Sequence, residues 1–396
     1  MFHKKRYLNI VSGIISAVLF MGIISPVVKA AEDMKPMDSG IKVEAESALL
    51  MEPKTGKILY DFNSHKKLAP ASVTKIMTML LTMEAIDSGK IKLTDKVTVS
   101  ENAKKMGGSS MILDAGEVRT VEELLKGIAI ASGNDAAVAM AEYLAGTEEA
   151  FVKLMNERAQ ALGMKDTTFK NCTGLNAAGH VTTAWDICLM SRELLKHNAV
   201  LKYTGTYIET ISEGRKTPIG LVNHNKLVRF FKGCDGLKTG FTDEAKYCIS
   251  ATATKDGIRM LTVIMGSPSY KVRNKDASML MNYGFSKFEN KKVVSKDAEM
   301  EKVLLNKKGD RYFMAKASED LSIILERGNP NKITYKFVIT SDRKNFKAGD
   351  EVGFAEVYCD GTQVGKVKIY CDRDVKRTGF FGNLKNNFTN IFDNGI

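Results

Sequence analysis

The spacing of apolar residues changes near residue 235, and this change separates predicted helices from predicted strands. Before that point, apolar residues recur every three or four positions, which is the period of an amphipathic helix. The spacing predicts helices over residues 72–88, 121–131, 135–145, 151–162 and 184–196. Beyond it, β-rich runs predict strands over residues 236–241, 247–254 and 258–265, and then a helix over 277–288.

Two further β-rich runs precede the helices, at residues 47–51 and 57–62, and a Pro-Lys-Thr-Gly turn joins them into a predicted hairpin. The chain therefore passes from strands to helices and back to strands. This order predicts a layered α/β (α+β) domain, which we place over residues 45–290.

The segment before this domain has the features of an export signal. A short basic cluster precedes a long apolar stretch, and a small-x-small sequence ends at Ala30. These features predict a signal peptide over residues 1–30 and therefore an exported protein, on the outer face of the cytoplasmic membrane or in the cell wall. An uncleaved membrane anchor is the alternative, because the apolar stretch is slightly long for a signal. Residues 31–44 are polar and mixed, which predicts a flexible N-terminus.

The composition changes again after about residue 290. Residues 291–371 contain short β-rich runs between Gly, Asn and Asp turns, which predict a small all-β domain. In residues 372–396, apolar side chains at helical spacing predict an amphipathic helix that lies on the membrane surface. Its apolar face consists of Phe380, Phe381, Leu384, Phe388, Ile391, Phe392 and Ile396. A helix docked on its own domain is the alternative.

The net charge of the full chain is +12, and it falls to +8 when the predicted signal peptide is removed. A basic exported protein favours anionic surroundings, such as acidic wall polymers or lipid headgroups. We find no nucleic-acid-binding motif and expect no nucleic acid as a partner.

Six cysteines in an exported chain raise the question of disulfides. None lies in a Cys-x-x-Cys pair, and we expect neither a metal nor a cofactor. The predicted strand registers keep Cys234 away from Cys248, and Cys359 away from Cys371. Since a disulfide needs Cα atoms within about 7 Å, we expect mostly buried free thiols. Pairings between distant cysteines remain open.

Motifs with catalytic residue types occur in several copies. Ser-x-x-Lys begins at Ser39, Ser64, Ser72 and Ser341, Ser-x-Asn begins at Ser100 and Ser132, and Lys-Thr-Gly begins at Lys54 and Lys238. The context separates these copies, because only Ser72 opens a long apolar helix and only Lys238 lies in a β-rich run. Ser72 could be a helix N-cap, a nucleophile or both.

The selected motifs occur in the order Ser-x-x-Lys, Ser-Gly-Asn and Lys-Thr-Gly. This set is found in β-lactamases and penicillin-binding proteins. With the phrases LAPASVTKIMT, IASGNDAA and DGLKTGFT, the sequence resembles the D-alanyl-D-alanine carboxypeptidases, which are low-molecular-mass penicillin-binding proteins. The resemblance covers nearly the whole chain. It implies a β-lactamase/transpeptidase-like domain with a mixed sheet and a helical subdomain.

The resemblance implies catalytic roles for three residues. Ser72 would attack the substrate carbonyl and carry the acyl group, with Lys75 as its base. Burial and the charge of Lys238 would both lower the pKa of Lys75. Ser132 would relay a proton, and Asn134 would hold Lys75 and contact the substrate amide.

The resemblance also implies a substrate-binding strand. Lys238 and Thr239 would bind the terminal carboxylate of the substrate, and Gly240 would let the strand approach it. The backbone N–H groups of Ser72 and Phe241 would form an oxyanion hole. Arg273 would steer the same carboxylate, a task that suits a bidentate guanidinium.

Two positions depart from the family pattern. Position 173 is Thr where some relatives carry His, and position 246 is Lys where Gly is usual. A lysine with positive φ would be strained, which questions the rate or the specificity and leaves the reaction class unchanged.

The leading hypothesis is a serine carboxypeptidase that removes the terminal D-alanine from peptidoglycan stem peptides and is acylated by β-lactams. A DD-endopeptidase and a non-catalytic wall-binding or β-lactam-sensing module are the alternatives. A β-lactamase is disfavoured, because the sequence CTGLNAAGH over residues 172–180 contains no glutamate to hold a deacylating water.

Overall fold

The computed structural model describes residues 40–211, 216–305, 309, 311–341, 345–376 and 388–390. The predicted signal peptide over residues 1–30 lies outside these residues, as does most of the predicted flexible N-terminus. Within the described residues, no helix combines the length and apolar character that a membrane crossing requires.

Helices occupy the middle of the main domain, close to the predicted positions. In the described residues they are α1 (Lys75–Asp87), α2 (Glu101–Lys104), α3 (Val121–Lys126), α4 (Asn134–Ala145), α5 (Glu148–Ala161), α6 (Ala184–Leu194), α7 (Leu201–Thr204), α8 (Leu227–Phe230) and α9 (Tyr270–Lys287). A 3₁₀ turn, Ala71–Thr74, runs into α1, and a π-helical turn, Gly127–Ala131, follows α3. Helix α9 begins seven residues before its predicted start, because the Ser269 side chain accepts a hydrogen bond from the backbone N–H of Val272 and caps it.

The strands fall into a central sheet and a separate C-terminal group. They are β1 (Ser47–Glu52), β2 (Lys57–Phe62), β3 (Lys96–Thr98), β4 (Val118–Thr120), β5 (Ile208–Ile211), β6 (Ile219–Val222), β7 (Cys234–Thr242), β8 (Lys246–Lys255), β9 (Ile258–Ser267), β10 (Phe288–Val294), β11 (Glu299–Leu304), β12 (Tyr312–Ala317), β13 (Leu321–Glu326), β14 (Ile333–Ile339), β15 (Asn345–Phe346), β16 (Glu351–Cys359), β17 (Thr362–Cys371), β18 (Val375–Lys376) and β19 (Phe388–Asn390).

The central sheet has the strand order β2-β1-β9-β8-β7. Each pairing in it is antiparallel, which corrects the mixed sheet that the resemblance implied. For three of the four pairings the reason is local, since tight turns join β1 to β2, β7 to β8 and β8 to β9, and strands joined in this way run in opposite directions. The fourth, between β1 and β9, joins segments that are distant in the sequence.

The two faces of the sheet contribute to two different cores. On β1, Leu49 and Met51 pack with the helices of the middle region, whereas Ala48 and Leu50 pack on the side of α9. This division follows from the strand period, because successive side chains point to opposite faces. The α/β layered domain is therefore confirmed.

The C-terminal domain is all-β, as predicted. Six of its strands pair in the order β11-β12-β17-β16-β14-β19 around a third core, and β10 pairs with β13. Helix α9 runs directly into β10. Lys57 on β2 lies 3.8 Å from the carboxylate of Glu326 on β13, so the two domains also meet through side chains.

Both predicted terminal segments need correction where the structure describes them. Residues 40–44 are not free, because Ile41 and Val43 pack on the α9-side core and the backbone N–H of Glu44 donates to Asp276. Most of the predicted amphipathic helix lies outside the described residues. Its described parts are residues 372–376, in which β18 pairs with β15, and Phe388–Asn390, a strand that pairs with β14, so both contain strand rather than helix.

The six cysteines are free thiols, as expected. Five are buried, and Cys359 is partly exposed. On β7, Cys234 lies opposite Ala253, while Cys248 on β8 lies opposite Gly240.

Candidate active site

Ser72 lies in the 3₁₀ turn immediately before α1, where two glycines allow close packing. A Cβ at Gly174 would overlap the carbonyl oxygen of Ala71, and a Cβ at Gly240 would lie 2.9 Å from the amide nitrogen of Ser72. Ser72 does not cap the helix, which corrects that interpretation. Its hydroxyl instead accepts a hydrogen bond from Lys75 Nζ at 3.1 Å, because residues three apart share a helix face.

Lys75 is fully buried and held by three oxygen atoms. Besides the Ser72 hydroxyl, its Nζ donates to Asn134 Oδ1 at 2.6 Å and to the carbonyl oxygen of Thr173 at 2.7 Å. Burial lowers the pKa of Lys75 to about 7, against the opposing effects of Cys172 and Asp135. A large fraction of this amine is therefore neutral near pH 7, as a general base requires.

Ser132 and Asn134 lie at the junction between the π-helical turn and α4. Ser132 ends that turn in the left-handed region, with φ of 62°. Its hydroxyl is buried and has no hydrogen-bond partner among the described residues. Asn134 holds Lys75 as predicted, but its Nδ2 also donates to the carbonyl oxygen of Gly107 at 2.6 Å. The amide therefore anchors a loop as well as the base.

The next residue, Asp135, fixes the same loop. Its buried carboxylate accepts hydrogen bonds from the Ser110 hydroxyl at 2.6 Å and from the backbone N–H groups of Met111 and Leu113. The neighbouring Ser109 lines the cavity that contains Ser72, so Asp135 positions part of the wall of that cavity.

The second Lys-Thr-Gly tripeptide lies on β7, the edge strand beside the Ser72 turn. Lys238 is buried, and its Nζ donates to the carbonyl oxygen of Thr239 at 3.0 Å. Burial, followed by repulsion from Lys75 and Arg273, lowers the pKa of Lys238 well below its usual value. Arg273 projects from α9 and is also buried, which lowers its pKa to about 10.

These elements enclose a cavity of about 410 Å³. It is lined by Ser72, Ser109, Ser132, His224, Lys226, Thr239, Gly240, Phe241, Tyr247, Tyr270 and Arg273. Six of the predicted site residues therefore line one space. Lys75, Asn134 and Lys238 do not line it, and lie buried around it.

Sequence reasoning missed Ser109, His224, Lys226, Tyr247 and Tyr270 as lining residues. Tyr247 could have been found from the hairpin register, which places it opposite Phe241. His224 and Lys226 lie between β6 and α8, where no periodic pattern marks them. His224 is exposed at the cavity wall, and partial desolvation there, together with the charges of Lys238, Lys75 and Arg273, lowers the pKa of its imidazole to about 4.

The two departures from the family pattern have structural consequences. Thr173 contributes its carbonyl oxygen to Lys75, while its hydroxyl donates to Asn171. Lys246 has a φ of 53°, so a lysine occupies a left-handed position at the start of β8.

The rejected motif copies lie elsewhere where the structure describes them. The Ser64 hydroxyl donates to Asp61, and the Ser100 hydroxyl caps α2. Lys54-Thr55-Gly56 lies in the turn between β1 and β2.

The fold and this constellation define a class. A serine at a helix start, a buried lysine within hydrogen-bond reach and a strand beside both are the parts of a serine acyl-transfer enzyme. The three selected motifs meet in one place.

Comparison with known proteins identifies the family. The D-alanyl-D-alanine carboxypeptidase family (peptidase family S11) matches residues 30–269, and the penicillin-binding protein 5 C-terminal domain matches residues 288–377. The D-alanyl-D-alanine carboxypeptidase DacF of Bacillus subtilis is 43% identical over 93% of this chain and 96% of its own length. DacC of Escherichia coli is 33% identical over 96% of this chain and 95% of its own.

Solved structures of penicillin-binding proteins have the same fold as this chain. Penicillin-binding protein 3 of Streptococcus pneumoniae superposes with a TM-score of 0.71 at 27% identity, covering 85% of this chain and all of its own. Penicillin-binding protein 5 of Haemophilus influenzae gives 0.65 at 27% identity, covering 87% of this chain and all of its own. The chain belongs to the D-alanyl-D-alanine carboxypeptidase family, and it is a serine hydrolase.

Proposed function

We propose that this enzyme removes the terminal D-alanine from peptidoglycan stem peptides through an acyl-enzyme on Ser72. The observation that carries the proposal is the 3.1 Å hydrogen bond between Lys75 Nζ and Ser72 Oγ, made by a buried amine whose pKa is lowered to about 7. Such an amine can take the serine proton at neutral pH.

In the acylation step, Ser72 Oγ bonds to the carbonyl carbon of the penultimate D-alanine while its proton passes to Lys75. The C–N bond to the last D-alanine then breaks, and the leaving amine takes the proton that Lys75 accepted, relayed through the Ser132 hydroxyl. Ser132 supports this transfer, because its buried hydroxyl lines the cavity and has no partner among the described residues. A water molecule then hydrolyses the ester and regenerates Ser72.

The terminal carboxylate binds to Lys238, Thr239 and Arg273. Thr239 and Arg273 line the cavity, and the buried amine of Lys238 stands beside them. The backbone N–H groups of Ser72 and Phe241 stabilise the oxyanion, since Gly240 brings their two segments together.

The same nucleophile opens β-lactam rings and becomes acylated by them. A structural neighbour, penicillin-binding protein D2 of Listeria monocytogenes, was solved in an ampicillin-bound form; its TM-score is 0.56 at 32% identity over 62% of this chain and 99% of its own.

We place the enzyme outside the cell, at the outer face of the cytoplasmic membrane. The predicted export signal over residues 1–30 supports this placement, and membrane fractionation with and without residues 372–396 would test whether that segment holds the enzyme there.

Labelling with a fluorescent penicillin tests the nucleophile. Wild type is expected to label and Ser72→Ala to remain unlabelled, while Ser88→Ala at the far end of α1 labels normally. An unlabelled wild type, or a labelled Ser72→Ala variant, would contradict the assignment.

Release of D-alanine from a pentapeptide, compared with cleavage of a cross-linked dimer, separates a carboxypeptidase from a DD-endopeptidase.

A further inference from the structure

The cavity wall carries one more cation than the proposed reaction uses. Lys226 stands at the start of α8 and lines the cavity together with His224 and Arg273. Its side chain is exposed, and it forms no ion pair with any residue in the described part of the chain.

The fold uses only the backbone of Lys226. Its carbonyl oxygen accepts hydrogen bonds from the N–H groups of Arg229 and Phe230, both at 3.1 Å. Its side chain can therefore be replaced without removing a described contact.

The charges around the cavity are strongly unbalanced. None of the eleven lining residues is Asp or Glu. Arg273 and Lys226 line the cavity, and Lys238 is buried beside it. One terminal carboxylate at Lys238 and Arg273 leaves the charge of Lys226 unmatched among the described residues, and a cleft lined by one sign of charge attracts the opposite sign.

His224 adds a hydrogen-bonding group without adding charge. With its pKa lowered to about 4, its ring is neutral at pH 7 and can donate one N–H. The wall formed by His224 and Lys226 therefore offers a cation and a neutral donor, which together suit a carboxylate.

We propose that Lys226 binds a second carboxylate of the stem peptide, upstream of the two D-alanines, and that the enzyme therefore prefers peptides in which this group is free. The inference rests on the proposed function. Stem peptides offer this chemistry at two places, the α-carboxylate of a γ-linked D-glutamate and the side-chain carboxylate of a diaminopimelate third residue.

The experiment measures kcat/KM for D-alanine release from a set of peptides. A pentapeptide with both carboxylates free is compared with one amidated at the second residue and one amidated at the third side chain. The enzymes are wild type, Lys226→Gln, Lys226→Arg and the control Lys232→Gln, which removes an exposed lysine that does not line the cavity.

Wild type should favour the free acid over one of the amides by about fivefold, the upper value for an exposed ion pair. Lys226→Gln should abolish that preference, while Lys226→Arg and Lys232→Gln retain it. Added salt should weaken it. The amide that loses activity identifies the carboxylate.

Equal rates on all three peptides, or an unchanged preference in Lys226→Gln, would overturn the inference. Turnover by wild type of an N-blocked tripeptide that ends in D-Ala-D-Ala, and whose only carboxylate is the C-terminal one, tests the proposed function alone. Failure on that peptide would remove the carboxypeptidase proposal itself, whereas success there with no acid preference removes only the second carboxylate site.

Discussion

The two Lys-Thr-Gly tripeptides have the same residues and opposite surroundings. Lys54-Thr55-Gly56 lies in an exposed turn between β1 and β2, and Lys238-Thr239-Gly240 lies on β7 beside the Ser72 turn. Lys54 is exposed, whereas only 2% of Lys238 is accessible. The difference shows that the tripeptide sequence alone does not determine its role. Burial and neighbouring residues make the copy at Lys238 part of the binding strand, whereas the copy at Lys54 only forms a turn.

Removing the lysine from each copy should give the largest contrast. Lys238→Ala is expected to lower kcat/KM for D-alanine release by about 10²- to 10³-fold, as for loss of one preorganised electrostatic contact. Lys54→Ala should leave it unchanged, because the Lys54 amine only contacts the carbonyl oxygen of Ser322 at the surface. Equal losses in both variants would contradict the comparison.

The glycines should separate activity from stability. A Cβ at Gly240 would press on the Ser72 amide, so Gly240→Ala is expected to lower activity by about tenfold to 10²-fold through misplacement of the nucleophile. Gly56 has a φ of 83°, so Gly56→Ala should lower the free energy of unfolding by about 1–2 kcal/mol while activity is kept. Urea titration and D-alanine release, measured on both variants, test whether Gly240→Ala mainly loses activity and Gly56→Ala mainly loses stability.

The pH dependence sharpens the role of the buried copy. Acylation requires a neutral Lys75, so its rate should rise with pH through about 7 and then level, falling about tenfold per unit on the acid side. Because burial is the main cause of the lowered pKa, the acid limb should stay near 7 in Lys238→Ala even though the rate falls. A limb displaced towards higher pH would show that the charge of Lys238 also lowers the pKa. Lys54→Ala is the control.

The smallest effect is expected at Thr55. Its hydroxyl donates to Glu52 at 2.6 Å inside the hairpin turn. Thr55→Ala should therefore lower the free energy of unfolding by about 1 kcal/mol, with penicillin labelling unchanged. A labelling defect in this variant would link the turn to the active site.

Most of the fold was predictable because the period of apolar residues reflects local backbone geometry. Strands β7, β8 and β9 and helices α4 and α6 follow that pattern closely. Three of the four antiparallel pairings of the sheet were also implicit in its hairpin turns, whereas the pairing of β1 with β9 was not. The start of α9 was missed because the Ser269 cap, rather than an apolar stripe, sets it.

The site was predictable only in part. Ser72, Ser132 and Lys238 belong to motifs, whose order along the chain carries information. Lys226 and Tyr270 line the cavity through tertiary packing between distant segments, which spacing does not encode. The loss of the expected Ser72 cap has a similar cause, since the Lys75 side chain binds the hydroxyl.

The free cysteines have a consequence for handling and ageing of the enzyme. With no covalent cross-link among the described residues, the fold should tolerate reducing agents. Burial raises the pKa of the Cys188 thiol far above neutral and of Cys234 and Cys248 to about 11, so these sulfurs resist oxidation. Slow damage in air should therefore begin at Cys359, on the far domain, and leave turnover intact long after the first sulfur is modified.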